Sequence, residues 1–131
     1  MFSNEISNAV LSNALRARGV LRSVLHEYNK SIAEAEDNLA QAFCLVGDLK
    51  SARLHCKASI AILEKLYGPD HIVIAHELVK LSTILLCMDD RTAVDIINRL
   101  YLLFQQHYTS DACLIFPYLK ALEGEACKVI H

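Results

Sequence analysis

Gly47-Asp48-Leu49-Lys50-Ser51-Ala52 decides the fold. A glycine closes one apolar-periodic segment, an aspartate follows at once as a helix cap, and a second periodic segment begins. That order is the turn of a helix hairpin. A weaker copy stands at Met88-Asp89-Asp90-Arg91-Thr92-Ala93, its alanine 41 positions after Ala52. A hairpin repeated on such a period cannot bury its apolar face alone and must stack on neighbours. The expected fold is all-α: about six helices in three stacked antiparallel hairpins with a right-handed superhelical lean, forming one domain over residues 1–131.

Composition agrees with a packed helical chain. Of 131 residues 53% are hydrophobic, too many for a disordered segment. Four Gly and two Pro leave little room for long loops. Thirteen basic residues face fifteen acidic ones, for a net charge of −2, and nucleic-acid binding needs a concentrated basic patch. Arg16, Arg18, Arg22, Lys30, Lys50, Arg53 and Lys57 stand singly, so neither nucleic acid nor an anionic membrane is an expected partner. The longest apolar run, Leu81 to Met88, is about a third of a bilayer span. Met1-Phe2-Ser3-Asn4-Glu5 lacks the basic and apolar regions of a signal peptide. These features point to the cytoplasm, with the nucleus also open. The cysteines, Cys44, Cys56, Cys87, Cys113 and Cys127, are odd in number with no C-x-x-C pair, and are expected to be reduced structural thiols.

The apolar spacing predicts a first helix from Asn4 to Leu25, with Val10, Leu11, Leu15, Val20, Leu21, Val24 and Leu25 as a core stripe. A second starts at Ser31 as N-cap, with Glu34 at capping-box spacing, and ends at Gly47. Ile32, Leu39, Ala42, Phe43 and Val46 form its inner stripe. A third follows from Asp48 to Tyr67, with Leu49, Ala52, Cys56, Ser59, Ile60 and Leu63 inward, and stops at Gly68-Pro69. A fourth begins after Asp70 as its cap, runs to Cys87 or Met88, and buries Ile74, Leu78, Leu81 and Leu85, with Val79 and Leu86 beside them. A fifth runs from Arg91 to His107, inward at Ala93, Ile96, Ile97, Leu100 and Phe104. A sixth is expected over Asp111–Val129, after a break at Tyr108-Thr109-Ser110. Tyr101, Phe104, Phe116 and Tyr118 could supply an aromatic contact patch.

The segment Lys30–His107 resembles tetratricopeptide repeats. Leu39, Ala40 and Phe43, Gly47 at the turn and Ala52 after it match the small and large positions, while Glu36 takes the place of the repeat tryptophan. Leu63 to His71 also resembles the long-period repeats of kinesin light chains. Tyr67-Gly68-Pro69-Asp70 and His76-Glu77-Leu78-Val79-Lys80-Leu81, with Leu25-His26-Glu27-Tyr28 upstream, are similar to the C-terminal helical region of the SET and MYND domain lysine methyltransferases, in the branch of member four and its insect relatives. That resemblance covers roughly Asn4 to Ala121. Those enzymes bind S-adenosylmethionine on a β-rich SET domain and hold zinc in cysteine clusters, and this sequence has neither the strands nor the spacing. What the resemblance implies is the non-catalytic end of such a protein, or a truncated product of such a gene, in a region that packs against the catalytic lobes, narrows the substrate cleft and recruits partners.

In tetratricopeptide arrays the first helix of each hairpin lines a concave groove. The repeat spacing puts Glu34, Asp37, Gln41 and Cys44 on that face of the second helix, and His76, Lys80, Thr83 and Cys87 on that of the fourth. A protein or peptide is the expected partner. Repeats that clamp chaperone tails carry Lys and Asn where this chain has Asp37 and Gln41, and a carboxylate there repels an acidic tail, so no such clamp is expected. His71 and His76 are five apart rather than the four that aligns two imidazoles, and His55 and Cys56 are adjacent, so no metal site is expected. No signature surrounds any Cys or His, and Gly19, Gly47, Gly68 and Gly124 are isolated, so no catalytic residue, cofactor or phosphate loop is expected. Three functions follow: an interaction module with no chemistry of its own, a methyltransferase fragment that shapes a cleft, or a small Cys–His enzyme.

Overall fold

Asn29 and His71, 42 positions apart, begin two helices of equal length. The structure is a computed structural model and describes residues 2–26 and 28–107. Among them the fold is all-α, with no strand: α1 (Phe2–Val24), α2 (Lys30–Leu45), α3 (Leu49–Tyr67), α4 (Ile72–Cys87) and α5 (Ala93–His107). The sixth helix, with Cys113, Phe116, Tyr118 and Cys127, lies outside the described residues. The chain divides into two compact units, Met1–Pro69 and Asp70–His131. In the first, α2 packs antiparallel against both α1 and α3; in the second, α4 packs antiparallel against α5.

The caps repeat at 42 positions. Asn29 Oδ1 accepts from the Ser31 amide at 2.8 Å, and His71 Nδ1 accepts from the Val73 amide at 3.2 Å. These replace the expected caps. Ser31 lies inside the first turn of α2 because the extended Asn29 already supplies the acceptor, and Glu34 is exposed beyond that turn rather than closing a capping box. His71 rather than Asp70 caps α4, and the Asp70 carbonyl faces His107 Nε2 at 2.6 Å.

At the other ends, Gly47 (φ 82) and Asp89 (φ 55) hold the left-handed conformation that stops α2 and α4. Asp48 N–H donates to Phe43 O at 2.9 Å, and Asp90 N–H to Leu85 O at 2.9 Å; Gly47 and Asp89 each donate three residues back at 3.1 Å. Both turns are therefore Schellman motifs. Asp48 then caps α3 through Ser51, and these hydrogen bonds, with Lys50 nearby, hold its carboxyl below the usual range. Asp90 accepts from the Thr92 amide and hydroxyl, and α5 starts at Ala93 rather than Arg91.

The two repeats align in the core. Ile32 with Ile74, Ala33 with Ala75, Leu39 with Leu81 and Ala40 with Ser82 are all buried, each pair 42 apart. The buried alanines Ala52 and Ala93 are 41 apart. The missing residue is taken up where Ala93 bonds back three residues to Asp90, while Ala52 bonds back four to Asp48.

α1 departs from its expected role. None of its described side chains reaches the buried class. Leu11 and Leu21 are half-buried, and Leu25 just beyond the helix is too, whereas Val10, Leu15, Val20 and Val24 are exposed. Its apolar residues form more than one row, and α2 covers one of them. Of the expected aromatic patch, Tyr101 is half-buried and Phe104 is buried in the α5 core.

Candidate functional site

The expected partner-binding face splits between the two units. On α2, Glu34, Gln41 and Cys44 are exposed and Asp37 is half-buried; the Gln41 amide donates to Asp37 Oδ2 at 3.0 Å. On α4, His76, Thr83 and Cys87 are exposed and Lys80 is half-buried. Lys80 Nζ meets Glu77 Oε1 at 3.2 Å, and the Thr83 hydroxyl donates to Val79 O at 3.0 Å. Each set of four lies along one side of its helix, as its three- and four-residue spacing requires. Glu34 and His76 are equivalent positions of the 42-residue repeat, as are Gln41 and Thr83. Lys80 answers to Asn38 and Cys87 to Leu45 rather than to the residues with which they were grouped.

The first unit also holds a charge cluster among residues that the sequence reading left scattered. The side chain of Glu36 is fully buried. Arg18 Nε meets its Oε1, as do Arg22 Nη2 at 2.8 Å and Arg22 Nε at 3.1 Å. His55 Nδ1 meets Oε2 at 2.6 Å, and its ring stacks on Phe43 with centroids 5.4 Å apart. Burial alone would push the Glu36 carboxyl up, but the hydrogen bonds from His55, Arg18 and Arg22 outweigh it and hold the pKa below the ordinary value. Glu36 is thus an ionised carboxylate with both oxygens engaged. It cannot serve readily as a base; what it does is tie α1, α2 and α3 together at one point. The two guanidiniums, each about a third exposed, keep contact with water.

A signal for this cluster was present. Arg18 and Arg22 are one helical turn apart, and Glu36 interrupts the inward row of Ile32, Leu39 and Ala40. A charge on a core row needs a partner, and the two cations of the preceding helix are the supply.

Two concavities lie one in each unit. One of about 300 Å³ is lined by Ala14, Ala17 and Leu21 of α1 with Ser31, Glu34, Ala35 and Asn38 of α2. The other, about 480 Å³, is lined by Asp70, Arg99, Leu102, Leu103, Gln105 and Gln106. Neither lining sets a thiol or hydroxyl beside a histidine. Among the described residues no three His, Cys, Asp or Glu side chains converge as a metal site, and no helix is long and apolar enough to cross a membrane. Cys56 is buried, whereas Cys44 and Cys87 are exposed.

No family model matches the sequence. Over 75 residues, 57% of the chain, it is 33% identical to Protein-lysine N-methyltransferase SMYD4 of Mus musculus. Over 64 residues, 49% of the chain, it is 36% identical to the protein of the same name from Gallus gallus. The chain spans about 9% of the length of either relative. About half of this chain is therefore related in sequence to the SET and MYND family, through a segment that is a small part of those proteins.

Proposed function

We propose that the chain is a non-catalytic protein-interaction module of tetratricopeptide type, acting in the cytoplasm or nucleus on a protein or peptide partner. The observation that carries this reading is the 42-residue repeat of caps, turns and core positions, which leaves a polar, exposed side on the first helix of each hairpin. Helical repeats of this kind present side chains for contact rather than for chemistry. Glu34, Asp37, Gln41 and Cys44, and His76, Lys80, Thr83 and Cys87, are the residues proposed to meet the partner. The test is capture of proteins by the whole chain, compared with Glu34→Lys and Thr83→Glu variants whose circular dichroism is unchanged. Loss of a captured partner in both variants supports the reading; identical capture overturns it. A chaperone-tail peptide is expected not to bind, because Asp37 repels its carboxylates.

The similarity to two protein-lysine N-methyltransferases favours a second reading, in which this segment belongs to such a protein and shapes its substrate cleft without itself transferring methyl groups. The chain alone, given labelled S-adenosylmethionine and lysine-bearing protein, should incorporate no label. Incorporation would remove the non-catalytic reading of both proposals.

A further inference from the structure

α1 carries an exposed outer row that is apolar except at Asn13. The row that faces α2 is Leu11, Ala14, Arg18, Leu21 and Leu25, all half-buried. The outer row is Ile6, Val10, Asn13, Ala17, Val20 and Val24, all exposed and spaced four, three, four, three and four apart. Ile6 is 54% exposed, Val10 42%, Val20 57% and Val24 69%. Branched residues lower helix propensity slightly, so an outer row built from them does not serve α1 as an isolated surface helix. Its spacing is that of a helix-pairing seam.

We propose that this row pairs antiparallel with the same row of a second copy of the chain. The row reads alike from either end about residue 15. Ile6 then faces Val24 of the second copy, Val10 faces Val20, and Asn13 faces Ala17. A two-fold interface requires such self-complementarity. Nearest the axis the row holds Asn13 and Ala17, and Ala17 lines the concavity of about 300 Å³ together with Ala14 of the inner row and Ala35 of α2. Helix axes can approach closely there, while the branched residues pack on either side. Parallel pairing would set Ala17 on Ala17 and leave a gap. Burying the four branched side chains in both copies removes on the order of 700 Å² from water, less than the roughly 1,200 Å² at which standard interfaces begin. The dimer is therefore weak and reversible.

Sedimentation of the full chain from low micromolar to near-millimolar concentration tests the proposal. The mass should rise from 14.6 kDa toward twice that value. Val10→Glu and Val20→Lys should each weaken association at least about tenfold, with helical content unchanged because both sites are exposed. Mixing the two variants should restore the dimer, since antiparallel pairing sets Glu against Lys. Val24→Glu, at the most exposed position of the row, gives an independent loss. A chain that stays monomeric throughout, a dimer indifferent to these changes, or a mixture that fails to recover overturns the proposal; the first outcome would leave this face for a helix of another protein.

Discussion

Positions 36 and 78 are the same place in two copies of one hairpin, and both are buried, yet one holds a carboxylate and the other a leucine. Leu78 satisfies its site by packing alone. Glu36 needs two guanidiniums and an imidazole, and two of the three come from outside its hairpin, on α1. The difference teaches what a buried charge is good for. An ion pair of this kind adds little net stability over a leucine. It does add a condition: the first hairpin is complete only when α1 lies along it in the register that brings Arg18 and Arg22 to Glu36.

The comparison breaks most severely if the charge is placed where no cations have been arranged for it. Leu78→Glu should cost about 4 kcal/mol or more, read as a lower urea midpoint. Next is the cluster stripped of its guanidiniums. Arg18→Ala with Arg22→Ala leaves Glu36 buried with only His55, and should cost about 3 kcal/mol. The left-handed turn residues separate the hairpins more mildly. Gly47→Ala should cost about 1 kcal/mol, because a side chain at φ 82 is strained, whereas Asp89→Gly should stabilise by about 0.5 kcal/mol.

Smallest at neutral pH, and the sharpest test of the equivalence, is Glu36→Leu. It copies the second hairpin into the first and should shift stability by less than about 1.5 kcal/mol. Its signature is in acid. Because the Glu36 pKa is lowered in the folded state, its contribution is full above the unfolded value of about 4.5 and fades as pH falls through the folded one. Acid unfolding of the parent chain should therefore be steeper below about pH 4 than that of Glu36→Leu.

Most of the helical frame was legible in the sequence because it is local. Gly47, Asp48, Gly68 and the aspartates at 89 and 90 act through their own turns, and most of the apolar rows of α2 to α5 are buried where their spacing puts them, with Phe43, Val46, Leu49 and Ile96 only half-buried. The caps shifted by one or two residues because Asn29 and His71 compete with Ser31 and Asp70 for the same amides, a contest that single-residue preference does not settle. Reading the period as 42 instead of 41 would have paired Asn29 with His71 and found both. α1 was misjudged because a row of valines looks the same whether covered or exposed. The Glu36 cluster was missed because its four members span 37 positions and meet only after three helices have packed.

That span has a kinetic meaning. The packed helix pairs among the described residues are chain neighbours, α1 with α2, α2 with α3 and α4 with α5. Such short loops close cheaply, and helical chains of low contact order fold in microseconds to milliseconds. Glu36 ties both α1 and α3 to α2 at one point, and its carboxylate must shed water before that knot can be tied. Arg22→Ala should therefore hasten unfolding while leaving the folding rate nearly unchanged, as expected of a contact made after the main barrier. Stopped-flow folding arms would show it, and would mark Glu36 as the clasp that sets how long the folded unit stays closed rather than how quickly it forms.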